Sequence, residues 1–487
     1  MDKPARKKLE KKNYQHAAIT HLLDYKKCAL WAGMGTGKTV CVLTALDAIS
    51  YGDPKTFPAL IIAPLRVAAN TWPDELEKWE HLEDRTMVKI LGDEQARFTA
   101  LRKKADIYTI NYENLDWLVS KFGKKWPFKT VVIDEATKLK GHRLKRGTRR
   151  PRALAMVMPY IERVIELSGT PSPNGIKDLW GQIWFLDEGQ RLGRTFQSFT
   201  DRWFEGVPFK PFDIKPRAYA QEEIHEKLAD ICFSIEGKDY FDLKEPIENF
   251  IYVTLPPKAR RLYKEMERRM YIELEEMGES VEAVSAGVKV LKCHQIANGA
   301  VYLNEDTKEW AEVHDEKLNA LESIVEEACG MPVLVVYKFK SDLYRLRKRF
   351  PQGTILTNRE DDIKKWNQGR TPLLFVHPAS AGHGLNLQDG SNIIAFYSVD
   401  WNLEEHMQVI ERIGPMRQIQ SGHDRPVYIH YILAKNTVDD ELIMPRIQTK
   451  RSIQEILMEA MKRRGAIYLS SHGTTGFPFS LTKCKLI

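Results

Sequence analysis

What this chain lacks narrows its class first. Its 487 residues include only six cysteines, at positions 28, 41, 232, 293, 329 and 484. None forms a Cys-x-x-Cys or other close pair, so neither a zinc cage nor a disulfide framework is indicated, and reduced thiols are expected. There is no run of about eighteen apolar residues, the length a helix needs to cross a bilayer. The start, Met1 to Lys12, is dense in charge and has no apolar core, which argues against a secretory signal. Repeats at a solenoid period, low-complexity tracts, and nuclease or methyltransferase signatures are missing too. These absences lead us to expect a soluble, non-membrane protein of the cytoplasm, with nothing pointing beyond a monomer.

Hydrophobic residues make up 43% of the chain and charged residues 29%, a balance that supplies ordinary globular cores and does not fit a disordered or fibrous chain. At about 150 residues per domain, the length asks for two substantial domains or three. The 73 basic residues outnumber the 66 acidic ones, for a net charge of +7. That modest excess suits a polyanionic partner.

Short apolar runs at 28–31, 59–62, 107–110, 131–133 and 164–167 alternate with longer amphipathic stretches, the rhythm of a mostly parallel α/β sheet. Nearly every run ends in small, polar or charged residues, and ligands of such sheets bind at those carboxyl ends. A second set follows at 333–337, 373–376, 393–397 and 427–433. The intervening 255–330 is charged and reads as helical; it could be a linker, an insertion or the opening helices of a second domain. The expected division is 1–245, then 246–465 including that helical lead-in, then a weakly structured tail at 466–487.

Residues 32–39 read Ala-Gly-Met-Gly-Thr-Gly-Lys-Thr, between an apolar run and the helical stretch 40–49. This is the strand, loop and helix context of a phosphate-binding loop. The segment Gly33, Met34, Gly35, Thr36, Gly37 is the expected ATP cradle. Gly35 and Gly37 let the backbone wrap so that amide hydrogens face phosphate oxygens, and the helix amino terminus adds favourable potential. Lys38 would neutralise the β and γ phosphates, and the Thr39 hydroxyl would ligate Mg2+. The strict pattern has glycine where Ala32 stands. Further on, the run 131–133 delivers Asp134-Glu135. Two adjacent carboxylates at a strand end can divide the work, Asp134 holding magnesium through its waters and Glu135 orienting and deprotonating the attacking water.

Ser168-Gly169-Thr170-Pro171, Ala381-Gly-His-Gly-Leu-Asn-Leu-Gln388 and Gln408-Val-Ile-Glu-Arg412-Ile-Gly-Pro-Met-Arg417-Gln418 complete an ordered series. Together with Ile62-Ala-Pro-Leu-Arg-Val67, Trp72-Pro-Asp-Glu-Leu-Glu-Lys-Trp79 and Ile110-Asn-Tyr-Glu113, the series resembles the superfamily two helicase motor, in its Snf-type branch of DNA translocases. The resemblance runs from Gln15 to about Arg446, and its compact length is similar to phage-encoded members, which would place the protein in the cytoplasm of a bacterial host.

The resemblance implies an α/β fold of two tandem RecA-like P-loop NTPase domains, each a mostly parallel sheet flanked by helices. It also implies a DNA-dependent ATPase that uses ATP and Mg2+ to move along DNA, expected to be duplex. Gln15 would read the adenine edge. Ser168, Gly169, Thr170, Gly382 and Gln408 would couple nucleotide state to the DNA track, and Gly384 would shape a loop touching ATP. The family spaces its last arginines as Arg-x-x-Arg, whereas here Pro415 stands three residues after Arg412. Either Arg417 is the finger that meets the γ phosphate or Arg412 alone serves. Alternative readings are a strand-separating or branch-migrating helicase on forked DNA or RNA, and a weakly hydrolysing ATP-gated clamp.

Between 138 and 152 stand eight basic side chains and no acidic one: Lys138, Lys140, Arg143, Lys145, Arg146, Arg149, Arg150 and Arg152. Their place just after the magnesium motif favours contact with a phosphate backbone over a merely solvated loop. Lys3, Arg6, Lys7, Lys8, Lys11 and Lys12 form a second run, read as a flexible tail. Trp72, Trp79, Tyr112 and Trp401 could stack on bases; for the tryptophans core packing is preferred.

Overall fold

A computed structural model describes residues 5–33, 35–144, 148–207, 210–235, 243–276, 282–304, 309–357, 359–380 and 385–452, without the side chains of 210–213, 269–276 and 282–289. Met34, Lys145, Arg146, Gly382, Gly384 and the tail 466–487 lie outside the described residues. The described chain forms two compact units. The first holds the chain to Gly206 and the segment opening at Ile214; the second holds Val207–Asp213 and the chain from the strand at Ile247 through Ser452.

In the first unit seven strands lie in the order Met87–Ile90, Ile107–Asn111, Ala59–Ala63, Thr130–Asp134, Arg163–Ser168, Lys27–Ala32, Cys232–Ile235. Every neighbouring pair is parallel. The five expected runs are the five inner strands. Each is buried along nearly its whole length because helices cover both faces, so it reads as a continuous apolar run without alternation. The outer strand Met87–Ile90 escaped the sequence reading because three of its four residues are not buried.

The second unit holds six strands, again all parallel, in the order Ile247–Val253, Tyr428–Ala434, Ile393–Phe396, Val333–Val336, Leu373–Val376, Thr354–Ile355. Its two edge strands, Ile247–Val253 and Thr354–Ile355, are the ones the apolar pattern did not announce. The charged helical stretch resolves into Pro257–Glu276, Glu282–Asn298 and Glu316–Glu327, all within this second unit. Cys28, Cys41, Cys232 and Cys293 are buried and Cys329 is exposed, none in a disulfide. Among the described residues no helix is long and apolar enough to cross a membrane.

The basic amino terminus departs from the expected flexible tail. The Arg6 guanidinium donates to the carbonyls of Leu76 at 2.8 Å and Trp79 at 3.0 Å, and Lys7 forms a parallel bridge with Trp79. Charge alone did not reveal this, because the partners are main-chain oxygens seventy residues away.

A buried polar network ties the helices of the second unit to its strand ends. Lys317 and Asp439 pair at 2.6 Å with side chains 1% and 2% exposed. Lys317 also donates to Asn298 Oδ1 at 2.7 Å, and Asn298 donates to Ser398 at 2.8 Å and Asp342 at 3.1 Å. Removing one member of a buried pair leaves the other charge uncompensated, a loss of about 3–5 kcal/mol. Asp439→Ala is therefore expected to destabilise the second unit by about that amount in denaturant unfolding; a loss within experimental error would show that the network carries little.

Candidate active site

Strand Lys27–Ala32 leads directly into the glycine loop, and helix Lys38–Gly52 begins at its far side. Gly37 caps that helix in the left-handed region, φ 84°, and Gly35 has φ 79°. Only glycine takes these values without steric cost. The Thr36 hydroxyl pins the turn by donating to the Gly33 carbonyl at 2.8 Å. Lys38 folds back over the loop, its ammonium donating to the carbonyls of Ala32 at 2.5 Å and Gly33 at 3.1 Å. A cation thus lies at a helix amino terminus within a curve of backbone, the combination that attracts phosphate. Thr39 follows one residue into the helix.

Gln15, on the helix Asn13–Asp24, joins the site directly. It is 9% exposed; its Nε2 donates to the Thr36 carbonyl at 3.3 Å and its Oε1 accepts from the Lys12 amide at 3.0 Å. Gly169 stands at the other wall, where a Cβ would lie 3.5 Å from the Ala32 oxygen and 4.0 Å from Lys38 Nζ. Ser168 is buried and its Oγ accepts from the Thr170 amide at 3.1 Å. Loop, glutamine and Ser-Gly-Thr segment are therefore one constellation.

Asp134 ends its strand at the same edge of the sheet. Glu135 follows with φ 64° and ψ 56°, a left-handed conformation that costs a side-chain-bearing residue about 1–2 kcal/mol. Two aromatic side chains hold the pair. The Tyr112 hydroxyl lies 2.7 Å from the Asp134 carbonyl and 3.0 Å from that of Glu135, sharing its proton between them. The Trp72 indole donates to Asp134 Oδ2 at 2.9 Å. Neither role was visible in sequence, which left Tyr112 between stacking and core and favoured core packing for Trp72.

Comparison with known proteins decides the family. The sequence profile of the SNF2-related domain matches residues 14–307. The protein p41 of Acyrthosiphon pisum secondary endosymbiont phage 1 is 50% identical over 93% of this chain and 98% of its own length. The chain belongs to the SNF2-related family. An ATP-dependent helicase of Mycoplasma pneumoniae is 24% identical over 94% of the chain, and human chromodomain-helicase-DNA-binding protein 1 is 22% identical over 98%. The chain spans 45% and 29% of the length of those two relatives, whereas it matches the phage protein along nearly all of that protein's length, the compact, phage-like form. A solved SWI2/SNF2 ATPase core of Sulfolobus solfataricus with dsDNA is similar at 20% identity and a TM-score of 0.42, over 96% of this chain and 97% of that one. As a member of the SNF2-related family, the chain is a superfamily two ATPase of the helicase and translocase type, built on P-loop ATP-binding architecture.

In the second unit of this SNF2-related protein, Gln408 and Arg412 lie four residues apart on the helix Leu403–Ile413 and share a face. Arg412 is 1% exposed, with its guanidinium 3.4 Å from the Leu385 carbonyl. The departure from Arg-x-x-Arg spacing has a local cause. Pro415 opens a new helix, Pro415–Gln420, so Arg417 stands on a different element from Arg412. Arg417 donates to Asn386 Oδ1 at 2.6 Å, and its Nε has no hydrogen-bond partner among the described residues. Both arginines thus lean on Leu385 and Asn386, which follow Gly384 in the sequence.

The basic segment is less uniform than its charge suggests. Arg143 stacks 3.4 Å from the Phe196 ring centroid and donates to the carbonyls of Lys140 and His142, which anchors rather than extends it. Arg149 pairs with Asp116 at 2.5 Å and Arg150 with Glu113 at 2.7 Å. Lys140 is half-buried at 4.0 Å from Asp178, while Lys138 and Arg152 are exposed. Acids from distant elements answer part of a run that looked unopposed.

The loop geometry sets a test. A methyl at position 37 would sit 2.6 Å from Gln15 Nε2 and would force φ out of the left-handed region. Gly37→Ala is expected to weaken ADP binding by about tenfold or more in calorimetry while the chain stays folded; unchanged affinity would mean this loop does not cradle the phosphates.

Proposed function

We propose that this protein is a DNA-dependent ATPase that couples Mg-ATP hydrolysis to movement along duplex DNA. The observation that carries the reading is the gathering, at one edge of a parallel sheet in a SNF2-related chain, of a lysine-bearing glycine loop and an Asp-Glu pair held by aromatic hydrogen bonds. In this reading Lys38 leaves the Ala32 and Gly33 carbonyls for the β and γ phosphates. Gln15 supports the loop from behind and presents its amide to the adenine.

The donor set suits magnesium. Asp134 and Thr39 offer hard oxygens, and among the described residues no group of three His, Cys, Asp or Glu side chains exists that would hold a metal without nucleotide oxygens. Bound there, magnesium would neutralise charge on the phosphates. Glu135, fixed by its strained backbone, accepts the proton of the attacking water. Arg417 is the proposed finger, because its Nε has no hydrogen-bond partner among the described residues and its side chain is less buried than that of Arg412. The exposed Lys138 and Arg152 are the proposed first contacts with the DNA backbone, with Lys140 beside them.

The test is steady-state ATP hydrolysis with no nucleic acid, blunt duplex, single-stranded DNA, forked DNA and RNA. Stimulation by blunt duplex is expected, with Lys38→Ala and Glu135→Gln each reducing the rate by about 10²-fold or more. Preference for forks or RNA would favour a strand-separating enzyme, and DNA binding without stimulated hydrolysis would leave a clamp.

A further inference from the structure

Trp72 is 0% exposed and could be read as core. Its surroundings say more. It opens the helix Trp72–Lys78 directly after a π-helical turn, Val67–Thr71, and such widened turns recur at functional sites. That turn is tied down by the Thr109 hydroxyl donating to the Ala68 carbonyl at 2.8 Å and by Lys89 donating to the Ala69 carbonyl at 3.2 Å. The chain leaves the sheet at Ala63, on the strand beside Thr130–Asp134, and the turn brings the indole back over that edge. Burial alone does not dictate the bond to Asp134: the indole nitrogens of Trp31 and Trp126 are buried with no partner among the described residues, and those of Trp180 and Trp366 donate to main-chain carbonyls.

We propose that Trp72 is a positioning residue for the magnesium-binding carboxylate, its indole N–H fixing Asp134 Oδ2 and thereby the direction in which the carboxylate meets the metal. The inference rests on the reading of Asp134 as the metal carboxylate. An indole N–H is a donor only and the carboxylate oxygen accepts from it, so the bond restrains where that oxygen sits. Residues that orient a metal ligand in this way commonly account for about 10- to 100-fold in metal affinity.

The test reads metal binding without turnover. ADP affinity of the full chain is measured by calorimetry with Mg2+ and with chelator, and the ratio of the two is the metal coupling. Trp72→Phe is expected to lower the coupling by about tenfold or more while leaving metal-free ADP affinity unchanged, which shows that the loop is still folded. Trp79→Phe is the matched control: it removes an indole whose N–H donates to Glu75 at 2.7 Å, and its coupling should equal that of the wild type. Coupling retained by Trp72→Phe would overturn the proposal alone. Wild-type protein without coupling, or Asp134→Asn that keeps it, would overturn the reading of Asp134 and the proposal together. If Trp72→Phe loses metal-free ADP binding, the wild type decides: one of its eleven tryptophan indole N–H resonances should shift when Mg2+ joins ADP, and should not in Asp134→Asn. No such resonance would overturn the proposal.

Discussion

All strands of the first sheet run in one direction, and the site depends on that constraint. Parallel pairing puts every carboxyl end on the same edge, so residues as distant in sequence as Gly33, Asp134 and Ser168 meet without any single segment having to reach for them. The edge is also where the local backbone departs from regular structure. Gly35, Gly37 and Glu135 all take positive φ there, and the strain at Glu135 is offset by the Tyr112 hydroxyl on the carbonyls before and after the Glu135 α-carbon. A rigid buried sheet fixes the positions, and a few strained residues at its rim set the directions of the reactive groups.

Much of this was legible in the residues. Strands covered on both faces appear as unbroken apolar runs, and the loop from Gly33 to Thr39 combines glycines, lysine and a following helix in a way that few other structures require. The edge strands Met87–Ile90 and Ile247–Val253 were not legible, because they are partly exposed and lose the continuous pattern. Side chains that act across long sequence separations were also hidden. Nothing near Trp72 announces a carboxylate sixty-two residues later, and nothing in the run from Lys138 to Arg152 announces Asp116 and Glu113 as partners for two of its arginines. Composition reports the charges present, whereas three-dimensional neighbours decide which of them remain available to a partner.

The second unit shows the same division between frame and function. Its core is stapled by a buried lysine–aspartate pair and the amide of Asn298, whereas its arginines stand where a glycine and a proline interrupt one helix and begin another. Moving the second arginine past Pro415 changes the element that carries it. That relocation is the main point on which this compact chain differs from the spacing of the family it resembles.

The central claim is movement along duplex DNA driven by hydrolysis, and displacement of a third strand from a blunt-ended duplex tests it most directly. The account predicts displacement that requires ATP and Mg2+, rises with time under conditions where the duplex itself stays paired, and disappears in Glu135→Gln. Duplex-stimulated hydrolysis with no displacement of the third strand would contradict it.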